Sequence, residues 1–147
     1  MLTKLGAALV ILIGSAGSLA AQEMCGAPPI APVIPSVADM RAKPPADAGA
    51  ARHAAFGEIK NWQVSLKSYR DCLNATMNTD KRDLGEAQRE EKPDKDKIAK
   101  LQQDLTTSSH AWDVSVDDEE KIVNEWNAAG TAYCLRSDVD RASCPKT

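Results

Sequence analysis

The 147-residue chain is long enough for one small domain with short appended segments. Its formal net charge of −3 disfavours nucleic acid and anionic lipid as partners, because both require a basic surface.

Residues 1–21 have the three parts of a secretory signal peptide. Lys4 provides the charged start, Leu5 to Ile13 the apolar run, and Ser18-Leu19-Ala20 the small-x-small cleavage motif. The apolar run is too short for a convincing membrane span, although an uncleaved N-terminal anchor is the alternative. Cleavage after Ala20 would leave 127 residues with a net charge near −4, because Lys4 is lost. We therefore expect a periplasmic or secreted protein, with no stable membrane insertion after cleavage, from a bacterial host.

The four cysteines all lie in the part of the chain that would be exported: Cys25, Cys72, Cys134 and Cys144. An even number of cysteines in an oxidising compartment favours two disulfides. Because no two of them form a C-x-x-C motif, we expect neither a redox motif nor a zinc knuckle.

Residues 22–47 are predicted to form an extended arm, because six prolines fall between positions 26 and 46 and exclude a regular helix. Apolar residues are interleaved with these prolines: Ile30, Val33, Ile34, Val37 and Met40. They could lie along a helical groove if the arm is tethered there. The alternative is a disordered linker.

Residues 48–136 are predicted to form an all-α, antiparallel helical hairpin, followed by a C-terminal tail at 137–147. Pro93 is the only proline between positions 46 and 144, so we place the turn there, with Asp94 as the N-cap of the second helix. Large apolar residues recur at steps of three and four on both sides of this turn. The spacing is typical of helices packed as a coiled coil, and it pairs Ile59 with Trp126 and Trp62 with Ile122.

A compact three-helix bundle over roughly 50–78, 94–112 and 117–135 is the alternative fold. Val114-Ser115-Val116-Asp117 is a poor helix former, and the acidic run Asp117 to Glu120 resembles a new helix start. The cysteines distinguish the two folds. The hairpin separates Cys72 from Cys134 by roughly 30 Å, so it predicts Cys25–Cys72 and Cys134–Cys144, whereas the bundle accommodates Cys72–Cys134.

No catalytic, cofactor or metal site is predicted. The two histidines, His53 and His110, lie far apart along the hairpin, and no nucleotide-binding, nucleophile or calcium-loop pattern appears. We therefore expect a non-enzymatic exported protein that contacts a protein partner in the cell envelope, with self-association as a further option. A small-ligand module is the alternative. The candidate ligand or partner surface is the aromatic set Trp62, Tyr69, Trp112 and Trp126.

Overall fold

The computed structural model describes residues 25–144. The predicted signal peptide, the first residues of the arm and the last three residues of the tail lie outside this range. Within it the chain is all-α, with no residue in a β-strand. The helices are α1 (Val37–Ala42), α2 (Pro45–Arg89) and α3 (Lys95–Cys134), followed by a short 3-10 helix at Arg141–Ser143.

The long helices α2 and α3 form the predicted antiparallel hairpin. Rising residue numbers in α2 meet falling numbers in α3: the ring of Phe56 lies 5.8 Å from that of Trp126, and Gln63 donates to Glu119. The 45 residues of α2 span about 67 Å at about 1.5 Å per residue. Such a length is stable in water only because an apolar stripe is buried against the second helix.

The turn at Pro93 is as the sequence predicts. Arg89 ends α2, and Asp94 caps α3 by accepting hydrogen bonds from the backbone N–H groups of Asp96 and Lys97. Lys97 also forms an ion pair with Glu90 across the turn, at 3.3 Å. The cap satisfies two of the four N–H groups that a helix start leaves without partners.

The three-helix alternative is wrong, because α3 continues without a break through residues 114–117. The β-branched side chains of Val114 and Val116, which are 43% and 42% exposed, each cost a helix at most about 0.7 kcal/mol relative to alanine. Ser115 donates its hydroxyl to the carbonyl of Trp112 within the helix. The acidic run is therefore the middle of a helix, and its predicted role as a helix start is also wrong.

The arm is extended only in part. Residues 27–36 have no helix or strand, as predicted, but Val37–Ala42 forms a helix that the prolines were expected to exclude. Ser36 and Asp39 make a reciprocal capping box at its start, and no proline falls between positions 36 and 43. Pro45 begins α2, where proline's missing N–H has no helical partner to lose.

The arm and tail pack together at the end of the hairpin opposite the Pro93 turn, which we call the open end. The buried cluster there contains Met40 of α1, Val139 of the tail and Tyr133 of α3. Arg136 donates to the carbonyls of Met40 and Lys43, at 2.7 and 2.6 Å, which ties the tail to the arm. Because these contacts involve buried apolar residues and charged hydrogen bonds, the arm is not a disordered linker.

Both predicted disulfides are confirmed. Cys25 pairs with Cys72 at a Cα–Cα distance of 5.7 Å, and Cys134 pairs with Cys144 at 5.9 Å. The first fixes the start of the arm to α2, and the second closes the tail onto the end of α3. Two such pairs are compatible with an oxidising extracellular compartment.

Candidate functional site

The four aromatic residues of the predicted surface lie in two separate clusters. Trp62 and Tyr69 are buried, at 6% and 7% exposure, whereas Trp112 and Trp126 are half-buried. Trp62 and Trp126 belong to one cluster with Ile59, Leu66 and Ile122. Tyr69 packs with Leu73, Ala111 and Trp112 in another. The aromatic set is therefore divided, and only its two α3 members are accessible to a partner.

A polar layer separates the two clusters. The Arg70 guanidinium donates to Glu119 at 2.5 Å and to the Ser115 hydroxyl at 2.8 Å, and Gln63 donates to Glu119 at 2.9 Å. The hydrogen bond from Arg70 is the main cause that holds the pKa of Glu119 below its ordinary value, and Gln63 adds to it. Glu119 is therefore a stable carboxylate in the middle of the hairpin.

One flank of the hairpin carries the arm. The indole N–H of Trp62 donates to the carbonyl of Pro29 at 3.2 Å, and Cys25 lies 3.7 Å from the hydroxyl of Thr76. A shallow cleft of about 420 Å³ remains between arm and helix, with Pro29, Ile30, Pro32, Glu58, Asn61, Trp62 and Ser65 along its walls. Glu58, Ser65 and Cys72 follow one another at intervals of seven, so the arm runs along one stripe of α2.

The opposite flank is uncovered, and we call it the open flank. Each residue turns an α-helix by about 100°, so Gln63 and Ser65, two positions apart, lie about 160° from each other on α2. Gln63 contacts Glu119 while Ser65 lines the arm cleft, which places the two on opposite sides of the helix–helix seam. The open flank consists of Phe56, Gln63, Arg70 and Met77 on α2 and Trp112, Val116, Glu119, Val123 and Trp126 on α3.

Apolar side chains on the open flank are partly exposed. Phe56 is 43% exposed, Val116 42% and Val123 36%, and both tryptophans are half-buried. At the open end of the hairpin, Arg52 lies over the ring of Trp126 at 5.2 Å and over that of Tyr133 at 5.7 Å. Arg70 lies over Trp112 at 5.9 Å. The flank thus joins aromatic and aliphatic surface to the guanidinium of Arg70, with that of Arg52 beside one end of it.

Towards the tip of the hairpin, the open flank leads into a second cleft of about 460 Å³. Its walls are Met77, Lys81, Leu105, Thr106, Ser109, His110 and Asp113. His110 is exposed here, and His53 is exposed on α2. Across residues 25–144 no three His, Cys, Asp or Glu side chains come close enough together to hold a metal ion. Among residues 25–144, none of the helices contains a stretch with the length and hydropathy of a transmembrane span.

Sequence reasoning did not single out Arg70 and Gln63. Both lie outside the apolar stripe of α2, and their role becomes visible only because their side chains form hydrogen bonds with residues of α3. A signal was present, because Ser115 and Glu119 are polar at positions of α3 that face α2. Polar residues at such positions require polar partners on the facing helix.

Comparisons with models of known protein families, with curated proteins and with solved structures found no match to this chain.

Proposed function

We propose that this protein is exported and non-enzymatic, and that it acts by binding another protein chain through the open flank. Export is supported by the signal-like sequence of residues 1–21 and by the two disulfides, which an oxidising compartment maintains. N-terminal sequencing of the protein from the periplasm or medium tests this part. Cleavage after Ala20 is the expected result, and an intact Met1 would contradict it.

The observation that carries the binding proposal is the composition of the open flank. Protein interfaces are enriched in Trp, Phe and Arg, with apolar residues at the centre, and depleted in Lys. The flank has two half-buried tryptophans, an exposed phenylalanine and Arg70, and Lys60 lies at its edge, 5.5 Å from the Phe56 ring. The opposite flank of the hairpin is covered by the arm, whereas the open flank leaves the side chains of both helices accessible to a partner.

Photo-crosslinking in the host tests the binding proposal. A benzoylphenylalanine at Val123 lies on the open flank, and the matched control at Val64 lies on the face of α2 turned away from α3, where Val64 is 69% exposed. Adducts from position 123 but not from position 64 are expected. Equal labelling from both positions, or no adduct from position 123, would refute a dedicated binding surface.

A small-ligand module is the second candidate, and the cleft beneath the arm favours it. Its volume of about 420 Å³ falls within the usual range for ligand sites, roughly 300–1,000 Å³, and Trp62 lines it. Ser65→Trp would fill this cleft, whereas Val64→Trp would add the same ring at an exposed control position. If an apolar dye that quenches tryptophan fluorescence binds the wild type and Val64→Trp but not Ser65→Trp, the cleft is its site. Unchanged binding by Ser65→Trp would exclude this cleft.

A further inference from the structure

We infer that the partner of the open flank is a second copy of this chain, and that two hairpins pack there about a two-fold axis to form an antiparallel four-helix bundle. The inference rests on the proposed binding role of the flank and adds the identity and geometry of the partner.

The arrangement of residues on α3 is nearly symmetric about Glu119. Trp112 and Trp126 lie seven residues before and after it, and Val116 and Val123 lie three before and four after. A two-fold axis beside Glu119 would therefore bring Trp112 of one copy against Trp126 of the other. It would likewise set Val116 against Val123. On both sides of the axis, tryptophan would face tryptophan and valine would face valine.

The α2 side of the flank has the same symmetry. Phe56, Gln63, Arg70 and Met77 follow at intervals of seven, with the two polar residues in the middle and the apolar residues at the ends. The centre of this row lies beside Glu119, because Gln63 and Arg70 both hydrogen-bond that carboxylate. An interface between identical copies must be complementary to itself, and both rows meet this requirement about one point.

The charges at the centre permit such an interface. Arg70 and Glu119 are 16% and 29% exposed, and they form an ion pair within each chain. Two copies would bring together two guanidinium groups and two carboxylates, so the central layer has no net charge. Each partly buried charge keeps its own partner, which avoids the penalty of an unpaired ion at an interface.

The size of the flank is sufficient for a reversible dimer. From Phe56 to Met77 it advances 21 residues along α2. This corresponds to about 32 Å along the helix. Two helices side by side give a width of about 20 Å, so each copy contributes roughly 640 Å² of projected surface, close to the ~800 Å² per partner of a standard interface.

Sedimentation equilibrium of the disulfide-bonded mature chain, from micromolar to several hundred micromolar, tests the inference. The wild type should form a dimer that dissociates within this range. Val123→Lys places two lysines in each interface and should weaken dimerisation at least a hundredfold. Val64→Lys, the same change on the far face of α2, should leave it unchanged. Circular dichroism checks that both variants keep the helical content of the wild type.

The antiparallel geometry has its own test. Because Val116 of one copy faces Val123 of the other, Val116→Glu with Val123→Lys creates two ion pairs across the axis, whereas Val116→Lys with Val123→Lys creates only repulsion. The first double variant should dimerise at least tenfold more tightly than the second. Equal affinities would overturn the two-fold geometry.

Two further results would overturn the inference. One is a wild type that remains monomeric throughout the concentration range. The other is a dimer that Val123→Lys and Val64→Lys affect equally. The photo-crosslinks then test the binding proposal separately. Adducts from position 123 with a different protein would support the open flank as a binding surface but exclude a second copy as the partner. Absence of adducts would refute both the binding proposal and the dimer.

Discussion

Replacement of Arg70 by methionine should be among the most destabilising single substitutions in the hairpin. Methionine keeps most of the aliphatic volume, but it removes the donors to Glu119 and Ser115. Glu119 would then remain partly buried, at 29% exposure, with the hydrogen bond from Gln63 across the seam. A carboxylate that is left without its cation at such a site must either lose solvation or become protonated.

The expected loss follows from the partners that remain. Breaking a buried ion pair by removing one member costs about 3–5 kcal/mol, and a hydrogen bond to a charged group contributes about 1.5–3 kcal/mol. Glu119 keeps the hydrogen bond from Gln63, at 2.9 Å, and some contact with water. We therefore expect the free energy of unfolding at pH 7 to fall by about 2–3 kcal/mol, a large part of the roughly 5–15 kcal/mol of a typical domain.

Urea unfolding monitored by circular dichroism measures this loss. The disulfides stay intact and the protein concentration is fixed, because the stability of a dimer depends on concentration. Arg70→Met with Glu119→Gln should cost less than Arg70→Met alone, since the neutral amide leaves no unpaired charge. A single-variant loss below about 0.5 kcal/mol, or double-variant losses that simply add, would refute the polar layer as a stabilising unit.

The pH dependence of the free energy of unfolding tests independently whether the charge on Glu119 stabilises the wild type. The pKa of Glu119 is lowered in the folded wild type, so its contribution is present above the ordinary value of 4.5 and is lost as the pH falls through the lowered pKa. In Arg70→Met the carboxylate lacks this stabilisation. The difference in stability between wild type and variant should therefore shrink below about pH 4.5. A difference that stays constant between pH 7 and pH 3 would contradict the assignment.

Three further predictions concern other parts of the chain. Gly57→Ala should raise the free energy of unfolding by about 0.5–1 kcal/mol in calorimetry, because a Cβ there meets nothing within 4 Å and alanine favours the helix; a loss would contradict the helix at this position. Asp80 is buried with one carboxylate oxygen lacking a hydrogen bond, and burial, then Asp104, raise its pKa. The charged Asp80 carboxylate therefore destabilises the fold at pH 7, and this loss disappears as the pH falls towards 4. Asp80→Asn should be more stable than wild type at pH 7, by up to about 1 kcal/mol, and equally stable near pH 4. Urea titrations that show the variant to be less stable at pH 7 would refute this. Replacing Cys25 and Cys72 by alanine should lower the free energy of unfolding in urea by about 4 kcal/mol, because the two cysteines are 47 residues apart. Removing Cys134–Cys144, with a separation of 10, should lower it by about 3 kcal/mol. The reverse order would contradict a loop-entropy origin.

The hairpin and its disulfides could be predicted because their signals are local or follow from simple geometry. Proline-free segments on either side of Pro93 and a capping residue at Asp94 define two helices and a turn. Of the three possible pairings of four cysteines, the hairpin excludes the one that contains Cys72–Cys134. Of the two that remain, the observed one joins each helix cysteine to its neighbour in sequence.

Two features of the fold could not be predicted from local preferences. Helix α1 has only six residues, so periodicity carries almost no information there, and the capping box of Ser36 and Asp39 was the available signal. The continuity of α3 through Ser115 depends on contacts across the seam. Arg70 satisfies both the hydroxyl and the carbonyl of Ser115, which overrides the poor helix propensity of its neighbours.

The aromatic surface was predicted as one set because one-dimensional spacing shows which residues face the seam, but not how far each side chain is covered. Trp62 is covered by the arm through the carbonyl of Pro29, while Trp126 faces the flank that the arm leaves open. The difference depends on which side of the hairpin the Cys25–Cys72 disulfide holds the arm. Cys72 lies seven residues after Ser65, on the same side of the seam, so the register of this cysteine was the available signal.

The polar layer explains how a seam of similar apolar residues keeps one register. The side chains seven positions from Glu119 on α3 are Trp112 and Trp126, so a slip of α3 by one heptad in either direction would put a tryptophan where Glu119 now receives Arg70. Arg70 would then be partly buried without a carboxylate, at a cost of about 3–5 kcal/mol. In the proposed dimer the same two tryptophans meet across the axis on either side of that ion pair. A sliding of one copy along the other would bring the charged layer against Trp112 or Trp126, so one pair of charges opposes slippage both within the hairpin and between hairpins.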